Sequence, residues 1–149
     1  MNYENAKQQK SSKLEIWNVS KEDLALNWYD LQDEEKKRNF KQGQIVYCEI
    51  GENIGYEICN TRPSLIVSDD RYSKNGTLSV IPLTKNVGKK MKTHYTLLKT
   101  KYDFLAFDSC VKTEQIRVIS SNRVTGLLGS IMDEDLDRVK IRIKTLFKL

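Results

Sequence analysis

The chain is poor in metal-binding side chains, with a single histidine, His94, and three cysteines, Cys48, Cys59 and Cys110, none in a CxxC pair. A zinc site draws on about four Cys or His ligands at short paired spacings, or on three and a water. Neither a metal nor any other cofactor is therefore expected. An odd number of thiols gives no disulfide framework, and buried or half-buried reduced thiols are the expectation. No apolar run approaches the ~20 residues that a membrane-spanning helix needs. The segment Met1–Leu14 is polar and lacks the apolar stretch of a signal peptide. These absences lead to the expectation of a cytoplasmic protein that does not engage a membrane. No internal repeat or low-complexity region is visible.

What is present is the balance of a folded domain, with 39% hydrophobic and 30% charged residues, a soluble rather than a disordered composition. A chain of 149 residues has room for one compact domain plus an appendage. That is enough for a core without disulfides or metal. The formal net charge of +5 is unevenly spread: residues 1–40 carry 7 Lys/Arg against 8 Asp/Glu, and residues 41–149 carry 18 against 12. The basic larger part suits a polyanionic partner, but many basic proteins have none, so charge alone decides nothing.

The first dozen residues, MNYENAKQQKSS, read as a frayed tail. A helix is predicted after them, with Ser20 as N-cap, Asp23 three residues on, and Leu24, Trp28 and Leu31 at helical spacing. The segment Asp33–Arg38 continues or ends it. This stripe has three readings: packing on its own domain, a dimer contact, or a lid over a site. From Gln42 the pattern changes to short β-rich runs. Strands are expected at Gln44–Ile50, Ser64–Ser68, Leu78–Leu83 and Thr93–Lys99, at Ser109–Ser120 as one long strand, and in a last short piece from Arg123 to Leu127. Asn75-Gly76 is a tight-turn signal. Short strands at this spacing suggest a small barrel. Asp133 is expected to cap a final helix with Leu136, Val139, Ile143 and Leu146 on one side. Its other side shows Arg138, Lys140, Arg142 and Lys144. The chain thus divides into an N-terminal tail and helical extension, 1–40, and a β-rich domain, 41–149.

A few positions could carry chemistry. In Thr61-Arg62-Pro63 the proline biases Arg62 toward an extended conformation at the mouth of an apolar strand. Its permanent, planar cation suits phosphate. Thr84 ends the strand LSVIPLT and precedes a loop with Lys85, Lys89, Lys90 and Lys92. A hydroxyl there is either a turn residue or a donor, and the lysines either follow a phosphate backbone or are merely solvated. His94 reads as a general base or as a structural histidine on a strand. Spacing assigns it no partner, which favours the structural role.

As an ordered set these motifs carry more. Gly43-Gln44-Ile45-Val46-Tyr47 is followed by Gly55-Tyr56-Glu57, Thr61-Arg62-Pro63, Pro82-Leu83-Thr84, Thr93-His94, Asp108-Ser109 and Glu114-Gln115-Ile116-Arg117. In that order and spacing, from about Gln42 to Leu149, the chain resembles the MazF/PemK family of toxin endoribonucleases. The resemblance implies a mainly β fold with minor α, an SH3-like small β-barrel of the MazF/CcdB toxin type with a C-terminal helix. It also implies a homodimer, a cognate antitoxin partner, and metal-independent cleavage of single-stranded RNA to a 2′,3′-cyclic phosphate and a 5′-hydroxyl. The family's catalytic arginine falls on Arg62 and its catalytic threonine on Thr84. Ser109, Glu114 and Gln115 match positions that line the RNA groove, and Tyr56, Glu57, Lys85, Lys89 and Lys90 complete the expected RNA-binding set.

These residue types suit the chemistry. RNA supplies its own nucleophile, the 2′-hydroxyl, so the protein must stabilise charge on the crowded phosphate and move protons. Which group takes the 2′ proton, a perturbed Arg62, another side chain or water, is open at this level. Two departures bear on the cleavage sequence more than on activity. Cys59-Asn60 stands where many members have a glycine pair, and Tyr56 stands where a small polar residue is frequent. Two other functions fit the fold: a non-catalytic toxin that binds DNA gyrase, which needs neither Arg62 nor Thr84, and an RNA-binding module without turnover.

Overall fold

The computed structural model describes residues 3–85 and 91–149. Seven strands form one antiparallel sheet: β1 (Gln44–Glu49), β2 (Thr61–Ile66), β3 (Thr77–Thr84), β4 (His94–Leu97), β5 (Ser109–Lys112), β6 (Arg117–Ser120) and β7 (Val124–Ser130). Their order is β4-β5-β3-β2-β1-β7, and β6 also pairs with β3. Helices α1 (Tyr3–Asn27), α2 (Asp33–Lys36) and α3 (Asp133–Phe147) flank the sheet in sequence. The architecture is mainly β with minor α.

Alternation along the central strands sends neighbouring side chains to opposite faces, and both faces carry apolar clusters. Ile45, Leu65, Ile81 and Leu83 join Leu97, Tyr102, Val111, Leu136 and Val139 in one core. Val46, Cys48, Ile66, Leu78 and Val80 join Phe40, Ile119 and Val124 in the other. Fully burying each aliphatic side chain of this size is worth ~1.5–3 kcal/mol. The apolar stripe of α3 closes the first core through Leu136 and Val139, with Ile143 packed alongside. Cys48 and Cys110 are buried, Cys59 is half-buried, and none of the three is in a disulfide.

Three sequence expectations are corrected. The segment expected to fray is the first half of α1, which runs without glycine or proline from Tyr3 and leaves Ser20 inside the helix rather than at its cap. Met132 rather than Asp133 occupies the N-cap position of α3 and makes no side-chain cap. Asp133, Glu134 and Asp135 lie in the first turn, where carboxylates are favourable at the positive helix end. Finally, Ser109–Ser120 is not one strand. β5 pairs Val111 with Leu83, whereas β6 pairs Arg117 with Val80. Six residues on one side thus span three on β3, and the surplus, Thr113–Gln115, is expelled as a 3-10 turn. That turn carries Glu114 and Gln115.

Candidate active site

Arg62 lies in β2 and Thr84 at the end of β3. The β2–β3 register pairs Leu65 with Ile81 and Ser64 with Pro82. The paired residues end there, and beyond them the Arg62 side chain reaches across to the end of β3, to the carbonyl of the residue before Thr84. Arg62 is half-buried, and its guanidinium donates from Nη1 to the Leu83 carbonyl at 3.0 Å and from Nε to the Cys59 carbonyl at 2.6 Å. Burial pushes its pKa below the ordinary arginine value, partly countered by Cys59 and Tyr47 nearby. Two strand ends and one loop thus fix the orientation of a single cation.

That loop, residues 51–60, is folded on itself. At its neck the Asn60 amide donates to the Gly51 carbonyl at 2.7 Å. Both residues have left-handed φ, 85° for Gly51 and 76° for Asn60, a region that glycine and asparagine adopt at lower cost than other residues. Asparagine therefore serves the backbone here where a glycine pair is common. Inside the loop, Asn53 donates from Nδ2 to the Ile58 carbonyl at 2.8 Å, and its amide donates to the Cys59 sulfur at 3.1 Å. Glu57 accepts from the Ile54 amide at 2.8 Å, so this carboxylate shapes the tip. Tyr56 is fully exposed at the tip.

The expelled turn meets the loop. Gln115 accepts from the Ile58 amide at 3.1 Å and donates to the Tyr56 carbonyl at 3.0 Å. Its neighbour Glu114 is paired with His94 Nε2 and accepts from the Thr93 hydroxyl at 3.3 Å. Hydrogen bonds therefore link Arg62, the loop, Gln115 and, through the turn, Glu114 and His94. The His94 side chain is only 7% exposed, on β4, and its partner Glu114 was not assignable from sequence spacing. Lys85 follows Thr84 and holds its ammonium 5.9 Å from the centre of the Phe107 ring.

Ser109 does not join them. It is 3% exposed, and its hydroxyl donates to the Phe107 carbonyl at 3.0 Å. Its position opposite Leu97 in the β4–β5 ladder turns it into the protein, so it offers nothing to a surface ligand. Lys89 and Lys90 lie outside the described residues. Among the described residues, no group of three or more His, Cys, Asp and Glu side chains could hold a metal ion, and no helix is long and apolar enough to cross a membrane.

Sequence reasoning missed the second layer. The amide of Gln115 is committed to loop backbone, and Lys10, Trp17 and Arg123 support the same loop from outside. The sequence carries no local signal for these contacts, which join segments far apart in the chain.

The chain is similar to known proteins. The chain is 31% identical over 103 residues to Endoribonuclease EndoA of Bacillus subtilis (strain 168), which covers 66% of this chain and 86% of that protein. It is 27% identical over 110 residues to Endoribonuclease MazF9 of Mycobacterium tuberculosis (strain ATCC 25618 / H37Rv), covering 70% of this chain and 92% of the relative. Its fold is similar to the crystal structure of MazF (Form-I) from Deinococcus radiodurans, with a TM-score of 0.63 and 20% identity over 74% of this chain and 98% of that one. It is also similar to a mycobacterial endoribonuclease solved in complex with its cognate antitoxin, with a TM-score of 0.58, 17% identity, and coverage of 74% and 96%. Residues 41–147 match the profile of the PemK-like, MazF-like toxins. The chain belongs to that family, the PemK-like, MazF-like toxins of type II toxin-antitoxin systems.

Proposed function

We propose that this protein is a toxin endoribonuclease that cuts single-stranded RNA without a metal ion. The observation that carries the reading is the placement of Arg62 and Thr84 on adjacent strand ends, within a chain of this family. In the reaction, the 2′-hydroxyl attacks the adjacent phosphorus and the bond to the 5′-oxygen breaks. A 2′,3′-cyclic phosphate forms, and the proton lost by one oxygen is balanced by that gained by the other. Arg62 holds the nonbridging oxygens, and Thr84 donates a hydrogen bond to the same group. A preorganised donor of this kind is worth ~10²–10³ in rate. Partial burial strengthens the cation's hold on phosphate by lowering the local dielectric.

Tyr56 and Glu57 at the loop tip, Lys85, Lys89 and Lys90 after β3, and Glu114 and Gln115 on the expelled turn form the RNA-binding set. Ser109 is left out of it because its hydroxyl is buried and engaged. Residues 41–149 form the toxin domain and residues 1–40 an extension to it. The protein acts in the cytoplasm as a homodimer and is restrained by a cognate antitoxin that covers the RNA face.

The test is incubation of the purified protein with single-stranded RNA in EDTA, followed by analysis of the ends. Cleavage to cyclic-phosphate and 5′-hydroxyl ends that vanishes in Arg62→Ala is the expected result. An Arg62→Ala protein that cuts like the wild type sinks the assignment, and so does RNA left whole by both. A gyrase-binding toxin would leave RNA whole, and a non-catalytic module would bind it without product.

A further inference from the structure

Helix α1 contains no buried residue, so it adds little to either apolar core. Its contacts are instead directed at the loop that holds Arg62. Lys10 donates to Glu52 at 2.7 Å and lies 3.8 Å from the Cys59 sulfur. Trp17 lies against Gly51 at the loop neck, so closely that a Cβ on that residue would fall 2.3–2.8 Å from the ring. The Arg123 guanidinium also lies near the Trp17 ring, 5.6 Å from its centre. Arg123 in turn donates to the carbonyls of Glu49 and Ile50 at 3.1 and 3.4 Å, the residues that lead into the loop. Further along, Asn122 Nδ2 donates to the Leu24 carbonyl at 2.9 Å and anchors the end of the helix.

About a quarter of this chain has no counterpart in the Deinococcus MazF structure, and the family match begins only at residue 41. The extension is therefore an addition to the shared domain. Its two firmest contacts with that domain's loop, at Glu52 and Gly51, flank the neck from which Cys59 reaches back to Arg62.

We propose that α1 is a strap that sets the position of Arg62 by holding the 51–60 loop, with Lys10 and Trp17 as its positioning residues. The proposal rests on the nuclease reading of the site. The loop is gripped on both sides, by Gln115 from the expelled turn and by α1 from outside, and the Cys59 carbonyl passes that constraint to the Arg62 Nε. Release of the outer grip leaves the fold intact and loosens the one cation that must meet the phosphate. A misplacement of about 1 Å at such a group costs up to ~10²-fold in rate.

The test is a charge swap in the full chain, comparing the wild type with Lys10→Glu, Glu52→Lys and the double variant. Three signals are read: kcat and KM on a short single-stranded RNA, hydrogen exchange of the loop amides, and melting temperature. Each single variant is expected to lower kcat by about tenfold and to speed exchange at Asn53, Ile58 and Asn60, with the melting temperature little changed. The double variant restores both. Loop exchange unaltered in the single variants overturns the proposal, as does faster exchange with kcat unchanged, or a loss of kcat that the double variant fails to rescue. RNA left uncut by the wild type is a different failure, that of the nuclease reading, and it removes the catalytic role of the strap. The exchange data then still decide whether α1 holds the loop.

Discussion

Arg62 donates to the carbonyl of Leu83, the residue immediately before Thr84, so the cation and the hydroxyl are tied together through one peptide unit. The two side chains therefore respond together to any movement of the β2–β3 edge.

Thr84→Val tests the hydroxyl alone, because valine keeps the β-branch and the volume of threonine. The cleavage rate is expected to fall by ~10²–10³, while Thr84→Ser retains most of it. A Thr84→Val protein of wild-type rate would show that the hydroxyl takes no part.

Tyr56 has its ring wholly in solvent, an arrangement with no folding benefit and a ready stacking surface. Base–aromatic stacking contributes ~1–3 kcal/mol per base, so Tyr56→Ala is expected to weaken RNA binding by roughly 5- to 150-fold. Tyr56→Phe should bind as the wild type does. The melting temperature should not move in either variant. Titration of labelled RNA with each variant reads the difference.

Gln115 uses its carbonyl oxygen and its amide nitrogen on loop backbone. If its role is to hold the loop, Gln115→Ala lowers kcat/KM without changing which sequences are cut. A changed pattern of cut sites would instead make it a reader of bases. Sequencing the ends of RNA treated with each protein separates the two.

Asp135 gives the clearest pH dependence. It is 6% exposed. Burial alone would raise its pKa, but hydrogen bonds from Tyr102, Tyr95 and Lys101 outweigh that and hold the pKa below the ordinary 3.8. The same environment pushes Tyr102 up to about 12, through burial and then the carboxylate. A carboxylate with a lowered folded pKa contributes stability that is present above 3.8 and lost as pH falls through the folded value. Unfolding at neutral pH should therefore be easier for Asp135→Asn by about 1.5–3 kcal/mol, and the gap should narrow in acid. A gap that persists at low pH would refute the ionic role.

Much of the sheet could be read from the chain, because SLIVS and LSVIPL are too apolar to lie anywhere but in a core. The break at Thr113–Gln115 could not. TEQ is compatible with a strand, and only the register of β3 against two partners forces the three residues out. The first half of α1 was hidden for a related reason. Its sequence has no apolar stripe, and what orders it against the domain is Lys10 and Trp17 meeting a loop some forty residues later. At the site, the order and spacing of the motifs singled out Arg62 and Thr84, whereas the burial of Ser109 comes from the covering of β5 on both faces, which local sequence does not state. Tertiary partners likewise decided that both ends of the Gln115 amide meet loop backbone.

The closed neck at Gly51 and Asn60 has a practical consequence. Because the two residues bond to each other, β1 and β2 are held at the correct separation whatever sequence runs between them. Residues 53–58 thus behave as an exchangeable cassette, with Glu52 and Cys59 kept for their contacts to Lys10 and Arg62. Transplanting that segment from a relative, with both neck residues retained, offers a route to redirect recognition while the strands that carry Arg62 and Thr84 stay where they are.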